Sequence, residues 1–181
     1  MIRSNHYEAA FEAYLRDREI GFIAVDEAKR SQLGEHCVKS VDFIIVGPET
    51  SKLVVDVKGR KFPGGPASAP RCVWQNWAEE EDVHGLQRWA NHFGREFRGM
   101  LAFAYHIVAP FTLPEDVPDQ FLFRDKRYLF RGIAASDYQT VMRPRSPRWG
   151  TVHLPTAEYR KLIRPFSEFL TPASSGVEVT S

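Results

Sequence analysis

The 181-residue sequence has little that points to a secreted or membrane-bound protein. Its two cysteines, Cys37 and Cys72, form no CxxC pair, so neither a disulfide framework nor a cysteine-based zinc site is expected. No apolar run approaches the roughly 18–20 residues that cross a bilayer, and no apolar stretch near the N-terminus is typical of a signal peptide. A glycine-rich phosphate loop and a dinucleotide fingerprint are also missing. We therefore expect a cytoplasmic protein without a membrane segment or a nucleotide site.

The length suits one well-buried domain, which we expect over residues 1–170, followed by a disordered tail at 171–181. The net charge is only +1, but its distribution is uneven. Between Phe121 and Pro165, ten Lys or Arg residues stand against three acids. This basic third is consistent with a phosphate-binding face and equally with a solvated surface rich in arginine.

The spacing of apolar residues predicts the order of the secondary-structure elements. We expect helices at 6–19, 78–93 and 156–164, and strands at 22–25, 41–46, 53–57, 100–108, 128–134 and 151–154. Asn76 is the predicted N-cap of the second helix and Gly94 its stop. This order predicts an α/β or α+β fold, with a mixed sheet covered by helices, a core at about 6–108 and a basic, strand-rich extension at about 121–166.

Three charged residues stand out because they occupy otherwise apolar strands. Side chains alternate across a sheet, so Asp56 and Lys58 share a face with Val54. If the two neighbouring strands form a hairpin, Asp42 lies close to Asp56. Adjacent carboxylates repel each other unless a cation lies between them, and Mg²⁺ prefers oxygen ligands of this kind. The alternative is an exposed face with a salt bridge that contributes little.

These residues resemble the sequence motif of the PD-(D/E)xK nucleases. Asp42 corresponds to the first acid and residues 56–58 to the (D/E)xK element, while Val41 replaces the usual proline. More narrowly, His6–Arg16 is similar to the opening of an uncharacterised bacterial group related to Holliday-junction resolvases. The resemblance implies a restriction-endonuclease-like fold and a Mg²⁺-dependent phosphodiesterase acting on DNA, with Mn²⁺ as a substitute. It also implies a homodimer.

The same resemblance implies a set of site residues. The catalytic set is Asp42, Asp56, Lys58 and a glutamate of the first helix, and the metal ligands are the three acids and the backbone carbonyl of Val57. Glu8 and Glu12 compete for the helix position. Glu8 has Phe11 and Leu15 three and seven positions later, as family members do, whereas Glu12 has Glu19 at the second offset. We favour Glu8 and keep Glu12 as the alternative.

Several cations are candidates for binding nucleic acid. Arg60 and Lys61 follow the motif strand and lead into a loop at 61–70 that is rich in Pro and Gly. The predicted basic contacts in the C-terminal third are Arg143, Arg145 and Arg148. Backbone contacts of this kind supply most of the non-specific affinity for DNA. A plain surface loop is an equally good interpretation of the first group.

Two functions are compatible with these features. The first is a metal-dependent endonuclease acting on DNA, with branched or structured DNA as a candidate substrate. The second is a nuclease-fold protein that binds nucleic acid or serves as a scaffold without cleaving, because a fold does not guarantee an activity. RNA or another phosphoryl substrate is a weaker third possibility.

Overall fold

The computed structural model describes residues 5–25, 32–33, 36–37, 41–47 and 50–171. The predicted disordered tail at 171–181 lies outside the described residues, apart from Thr171. No helix in these ranges is long and apolar enough to cross a membrane.

Five helices and twelve strands make up the described structure. The helices are α1 (His6–Asp17), α2 (Glu80–Phe93), α3 (Ala135–Val141), α4 (Thr156–Leu162) and α5 (Ser167–Leu170). The strands are β1 (Phe22–Ala24), β2 (Gln32–Leu33), β3 (His36–Cys37), β4 (Phe43–Gly47), β5 (Thr50–Phe62), β6 (Ala78–Glu79), β7 (Phe97–Ile107), β8 (Gln120–Phe123), β9 (Lys126–Ala134), β10 (Arg143–Ser146), β11 (Thr151–His153) and β12 (Arg164–Pro165), with a 3₁₀ turn at Pro147–Trp149.

A seven-stranded mixed sheet forms the centre of the molecule, in the order β1-β4-β5-β7-β9-β12 with β8 on β9. β5 and β7 run parallel, while the other pairs are antiparallel. A second, three-stranded sheet has the order β10-β11-β6, and β2 pairs with β3. The predicted class, a mixed sheet flanked by helices, is confirmed. The strands β8, β9 and β12 of the basic C-terminal third belong to the same central sheet.

The central sheet is covered on both faces, and β5 contributes to both cores. Leu53, Val55 and Val57 pack in the core under α1, whereas Val54 and Phe62 pack in the core under α2. The predicted alternation is therefore confirmed. Burying each such side chain contributes roughly 1.5–3 kcal/mol, and a slip of one residue would move the charged side chains of β5 into the other core. The hydrophobic pattern thus fixes the face on which the charges stand.

Two glycines allow the helices to approach the sheet closely. A Cβ added at Gly59 of β5 would lie 2.2 Å from Cδ2 of Tyr7 on α1. A Cβ added at Gly99 of β7 would lie 3.0 Å from the backbone of Leu86 on α2. The first turn of α1 is therefore held against β5, which carries the motif, and the middle of α2 is held against the neighbouring strand β7.

The structure differs from the sequence-based prediction in several elements: α3, α5, β8, β10 and β12 were not predicted, and residues 78–79 form β6 where a helix was expected. Two further differences concern predicted site or cap residues. β5 extends to Phe62, so Arg60 and Lys61 lie in a strand and not in the loop that follows it. Asn76 does not cap α2; its amide donates to the carbonyl of Leu154 and accepts from the Leu154 N–H, both at 3.1 Å. Tertiary pairing decided both features. Gly94, at φ 117°, follows α2 as predicted.

Candidate active site

Asp42 is fixed at the start of the β4–β5 hairpin by its backbone and its side chain. Its N–H donates to the carbonyl of Val55 at 2.9 Å, and Oδ2 accepts from the Val57 N–H at 2.6 Å. Phe43 pairs with Val55, and the side chain of Asp42 is bound by the N–H that directly follows Asp56 in the chain. Only 5% of Asp42 is exposed. The hairpin therefore brings the two predicted acids together in a buried setting.

The electrostatics of Asp42 show that a third acid is close. Burial raises the pKa of Asp42 well above its ordinary value, and the negative charges of Asp56 and Glu8 raise it further. The Val57 N–H and the Lys58 ammonium oppose this shift without cancelling it. Carboxylates that repel one another in this way can be relieved by a proton or by a cation.

Lys58 lies between two carboxylates on the face of β5 that looks toward α2. Its Nζ is 2.6 Å from Asp56 Oδ2 and 2.5 Å from Asp82 Oδ2, and the side chain is 15% exposed. Burial alone would lower the pKa of Lys58, but the charges of Asp56 and Asp82 outweigh it and raise the pKa above its ordinary value. Lys58 therefore carries a positive charge at neutral pH. It can stabilise negative charge or orient a water molecule, and it is not a ready base.

Asp82 is a site residue that the sequence reasoning missed. It lies in the first turn of α2, where an acid is already explained by the helix dipole. Asp82 is nevertheless buried, and it precedes Leu86 and Trp89 by four and seven positions. That spacing puts the carboxylate on the buried stripe of the helix, and this is the signal that could have identified it.

The two candidate glutamates of α1 have different described contacts. Glu8 Oε1 accepts from the side-chain amide of Asn5 at 2.7 Å, and the charge of Glu8 acts on Asp42. Glu12 forms an ion pair with Arg16 at 2.8 Å, one helical turn further on. Asn5 also caps α1, accepting from the Tyr7 N–H at 3.0 Å. The influence of its charge on Asp42 is consistent with the preference for Glu8, which stays a prediction.

The donor chemistry fits a hard divalent cation, although the side chains are not closed around one. In the part of the chain that the structure describes, no three His, Cys, Asp or Glu side chains form a ready-made metal group. Asp56 Oδ2 is buried and, its ion pair with Lys58 apart, accepts no hydrogen bond of good geometry. Carboxylate oxygens such as these are the ligands that Mg²⁺ takes. A cation at this site would compete with Lys58 for the charge of the Asp56 carboxylate, and the Val57 carbonyl stays a predicted ligand.

A cleft of about 320 Å³ opens beside Lys58, between β5, the start of α1 and the segment before α2. Arg60 lies in its wall and is only 8% exposed. Its guanidinium donates to the carbonyls of Gly59, at 2.7 Å, and Trp77, and it lies 3.8 Å from the centre of the Trp77 ring. Arg60 thus lies in β5 with its side chain held by internal contacts, and its contact with DNA stays a prediction. Lys61 is exposed and stays a predicted contact.

The arginines of the C-terminal third lie on one exposed hairpin. We call Arg143, Arg145 and Arg148 the hairpin arginines; the first two are in β10 and the third is in the adjoining 3₁₀ turn. All three are exposed. β11 joins this hairpin to β6, directly before α2. The Arg145 guanidinium lies 5.1 Å from the centre of the Trp77 ring, which links the hairpin to the wall of the cleft.

Comparisons with known proteins give one kind of match. No protein-family model matches the sequence, and no curated protein matches it. Among solved structures, the chain is similar to Hjc, a Holliday junction resolvase from the archaeal hyperthermophile Archaeoglobus fulgidus. The identity is 13% and the TM-score 0.51, and the alignment covers 90% of this chain and 91% of that one.

This likeness defines the class of fold. The chain has a resolvase-like α+β fold, with a mixed central sheet flanked by helices. At this level of identity the likeness extends to the fold alone.

Proposed function

We propose that this chain is a Mg²⁺-dependent endonuclease that hydrolyses phosphodiester bonds of DNA, with branched or structured DNA as its substrate. One observation carries the proposal. Asp42, Asp56 and Lys58 meet at one end of the β4–β5 hairpin, with Glu8 acting on the same carboxylate, in a fold similar to that of a Holliday junction resolvase. The fold alone would not support an activity, but the fold together with these charged side chains does.

Each residue has a role in the proposed reaction. Asp42, Asp56 and Glu8, together with the Val57 carbonyl, hold the cation. When bound, Mg²⁺ would neutralise charge on the scissile phosphate and lower the pKa of a water molecule. The hydrogen bond from the Val57 N–H holds Asp42 in a fixed orientation. The charged Lys58 stabilises negative charge on the phosphoryl oxygens and orients the attacking water.

The surface beside the cleft supplies contacts to the DNA backbone. The hairpin arginines and Lys61 are exposed, and the hairpin is joined through β6 to the element that carries Asp82. Neutralising phosphates with such cations releases counterions, so the binding should weaken steeply as salt increases. A homodimer would allow two strands to be cut symmetrically. The dimeric state remains a prediction, which a measurement of molar mass by light scattering would test.

The test is a cleavage panel with supercoiled plasmid and four-way junctions in Mg²⁺ or Mn²⁺. We expect Asp56→Ala and Lys58→Ala each to lower the cleavage rate by about 10²-fold or more. Lys161→Ala removes an exposed cation of α4 and is the matched control, which should cut like wild type. The proposal fails if wild type cuts no better than Asp56→Ala on every substrate.

A second candidate function is a nuclease-fold DNA binder without cleavage. The observation that favours it is the internal pairing of Lys58 with Asp56 and Asp82, which compensates buried charge without any cation. A binder of this kind retains salt-sensitive affinity for DNA in Asp56→Ala and loses it when the hairpin arginines are removed. The same panel separates the two functions, since a binder gives no metal-dependent products.

A further inference from the structure

The proposed metal set gives no role to Asp82, the buried acid of α2. Its carboxylate nevertheless makes one of the two close contacts of the Lys58 ammonium. We propose that Asp82 is a positioning residue, which keeps Lys58 in the active site when Asp56 turns to the cation. The inference rests on the proposed function, because it assigns a task within the same site.

The argument begins with the competition for Asp56. The carboxylate of Asp56 faces the ammonium of Lys58, with Oδ2 at 2.6 Å, and the same carboxylate is a proposed ligand of the cation. A divalent ion close to Asp56 also repels the positive charge of Lys58. Without a second partner, Lys58 would either keep its ion pair with Asp56 and weaken binding of the ion, or lose that pair and move out of the site. A carboxylate at 2.5 Å on its other side removes that conflict.

Burial makes the second partner necessary. The Lys58 side chain is 15% exposed and that of Asp82 is 7% exposed, so neither charge is well solvated. A buried ammonium that loses a partner is strongly disfavoured unless another partner remains. The Lys58 ammonium has three N–H donors, so it can donate hydrogen bonds to Asp56 and Asp82 at the same time. Its hydrogen bond to Asp82 can therefore persist after Asp56 has turned to the cation.

The placement of Asp82 suits this task because it lies on a different element from the metal ligands. Asp42 and Asp56 belong to the hairpin and Glu8 to α1, whereas Asp82 belongs to α2. The close approach of Leu86 to Gly99 fixes α2 against β7, and β7 is in parallel register with β5 along its length. Asp82 can therefore stay in place while Asp56 reorients.

Single variants and one double variant test the inference. Asp82→Asn removes the proposed anchor, and Glu80→Gln removes an exposed charge from the same helical turn as a matched control. Lys58→Met removes the competitor for Asp56. The double variant Lys58→Met/Asp82→Asn has neither of the two buried charges. It can therefore be compared with Lys58→Met even if Asp82→Asn alone does not fold.

The main readout is binding of Mn²⁺ by calorimetry, without any DNA. If Asp82 draws Lys58 away from Asp56, Asp82→Asn should raise the Kd for Mn²⁺ by about tenfold, and Glu80→Gln should leave it unchanged. In the Lys58→Met background the Asp82→Asn change should have no effect, since the competitor is gone. An equal loss of affinity in both backgrounds would make Asp82 a metal ligand and overturn the inference.

A second readout follows Lys58 itself. The ammonium signal of Lys58 in proton–nitrogen correlation spectra, assigned by its loss in Lys58→Met, should persist in wild type on adding Mg²⁺. In Asp82→Asn the same addition should broaden it by faster exchange with water. A signal that responds to Mg²⁺ equally in both proteins would contradict the inference.

Cleavage kinetics distinguish this inference from the proposed function. Asp82→Asn should lower kcat by about tenfold with an unchanged KM for DNA, and Asp82→Glu should restore part of it. If Asp56→Ala is inactive while Asp82→Asn binds Mn²⁺ and cleaves like wild type, the inference fails and the proposed function stands. If Asp82→Asn weakens Mn²⁺ binding only when Lys58 is present, but no DNA is cut, the proposed activity fails and the positioning role stands. Absence of Mn²⁺ binding to wild type overturns both.

Discussion

Replacing Asp42 by Asn should stabilise the metal-free protein while abolishing its activity. In the folded protein Asp42 is buried, and the charges of Asp56 and Glu8 disfavour its ionised form. An Asn side chain carries no charge, and its carbonyl oxygen can still accept the hydrogen bond from the Val57 N–H. The substitution therefore removes the repulsion and keeps the local hydrogen bond. It also removes an anionic ligand from the proposed metal set.

The size of the effect follows from the kind of strain that is released. Relieving a destabilised functional position commonly gains about 0.5–2 kcal/mol. In a chain of this length each kcal/mol moves Tm by about 2–4 °C, so we expect Asp42→Asn to raise Tm by about 1–8 °C at pH 7 without metal. Mg²⁺ should raise the Tm of wild type and leave that of the variant almost unchanged.

The same pKa shift also gives the sign of the pH dependence. Folding raises the pKa of Asp42 above its ordinary value of 3.8, so the folded state favours the protonated side chain. The stability that this protonation contributes is fully present below pH 3.8 and is lost as the pH rises through the folded-state pKa. Wild type and Asp42→Asn should therefore have similar stabilities below about pH 4 and diverge as the pH rises. Thermal unfolding followed by circular dichroism, with chelator present, measures this directly.

A matched control is available in Asp116, an exposed acid in a turn. Asp116→Asn should change Tm little at any pH. The reasoning is refuted if Asp42→Asn melts at or below the wild-type temperature at pH 7 in chelator, or if its gain is as large at pH 4.

Three further predictions concern the surroundings of the site. Glu8→Gln should lower metal-dependent cleavage by at least about tenfold, whereas Glu12→Gln, on the same helix, should cut like wild type. Changing the hairpin arginines to Ala should weaken DNA binding and make the plot of log K against log salt shallower, by up to about 0.9 for each lost phosphate contact. Gly59→Ala places a Cβ 2.2 Å from a Tyr7 ring atom and should cost about 1–3 kcal/mol in unfolding free energy, measured by urea titration.

Each of these predictions has a contradicting result. Equal losses in the two glutamate variants would remove the preference for Glu8. An unchanged salt dependence would show that the hairpin does not contact phosphates. A Gly59→Ala protein as stable as wild type would mean that α1 can move away from β5 without cost.

The features that the sequence predicted depend on short-range patterns. The alternation in Leu53–Val57 indicates two buried faces, and two such strands joined by a short turn indicate a hairpin. These local rules place Asp42 beside Asp56 and fix the face of Lys58, as the structure describes them. The 3–4 spacing in α1 likewise predicts its buried stripe.

The features that the sequence did not predict depend on partners far along the chain. The partner of Asn76 is Leu154, and that of Arg60 is Trp77. No local pattern specifies either contact. Asp82 was open to prediction from its spacing, but its position in the first turn of a helix already had a sufficient explanation. When the helix dipole already explains an acid in the first turn, a second role of that acid is easily overlooked.

The parallel pairing of β5 with β7 also determines how the site assembles during folding. β4 and β5 are neighbours in sequence, so the loop that closes their hairpin is short and its entropic cost is small. β5 and β7 are separated by the whole segment from Phe62 to Phe97, including α2, and such non-local parallel pairing is slow. We therefore expect the acids of the hairpin to meet early in folding, and Asp82 to reach Lys58 only when α2 docks.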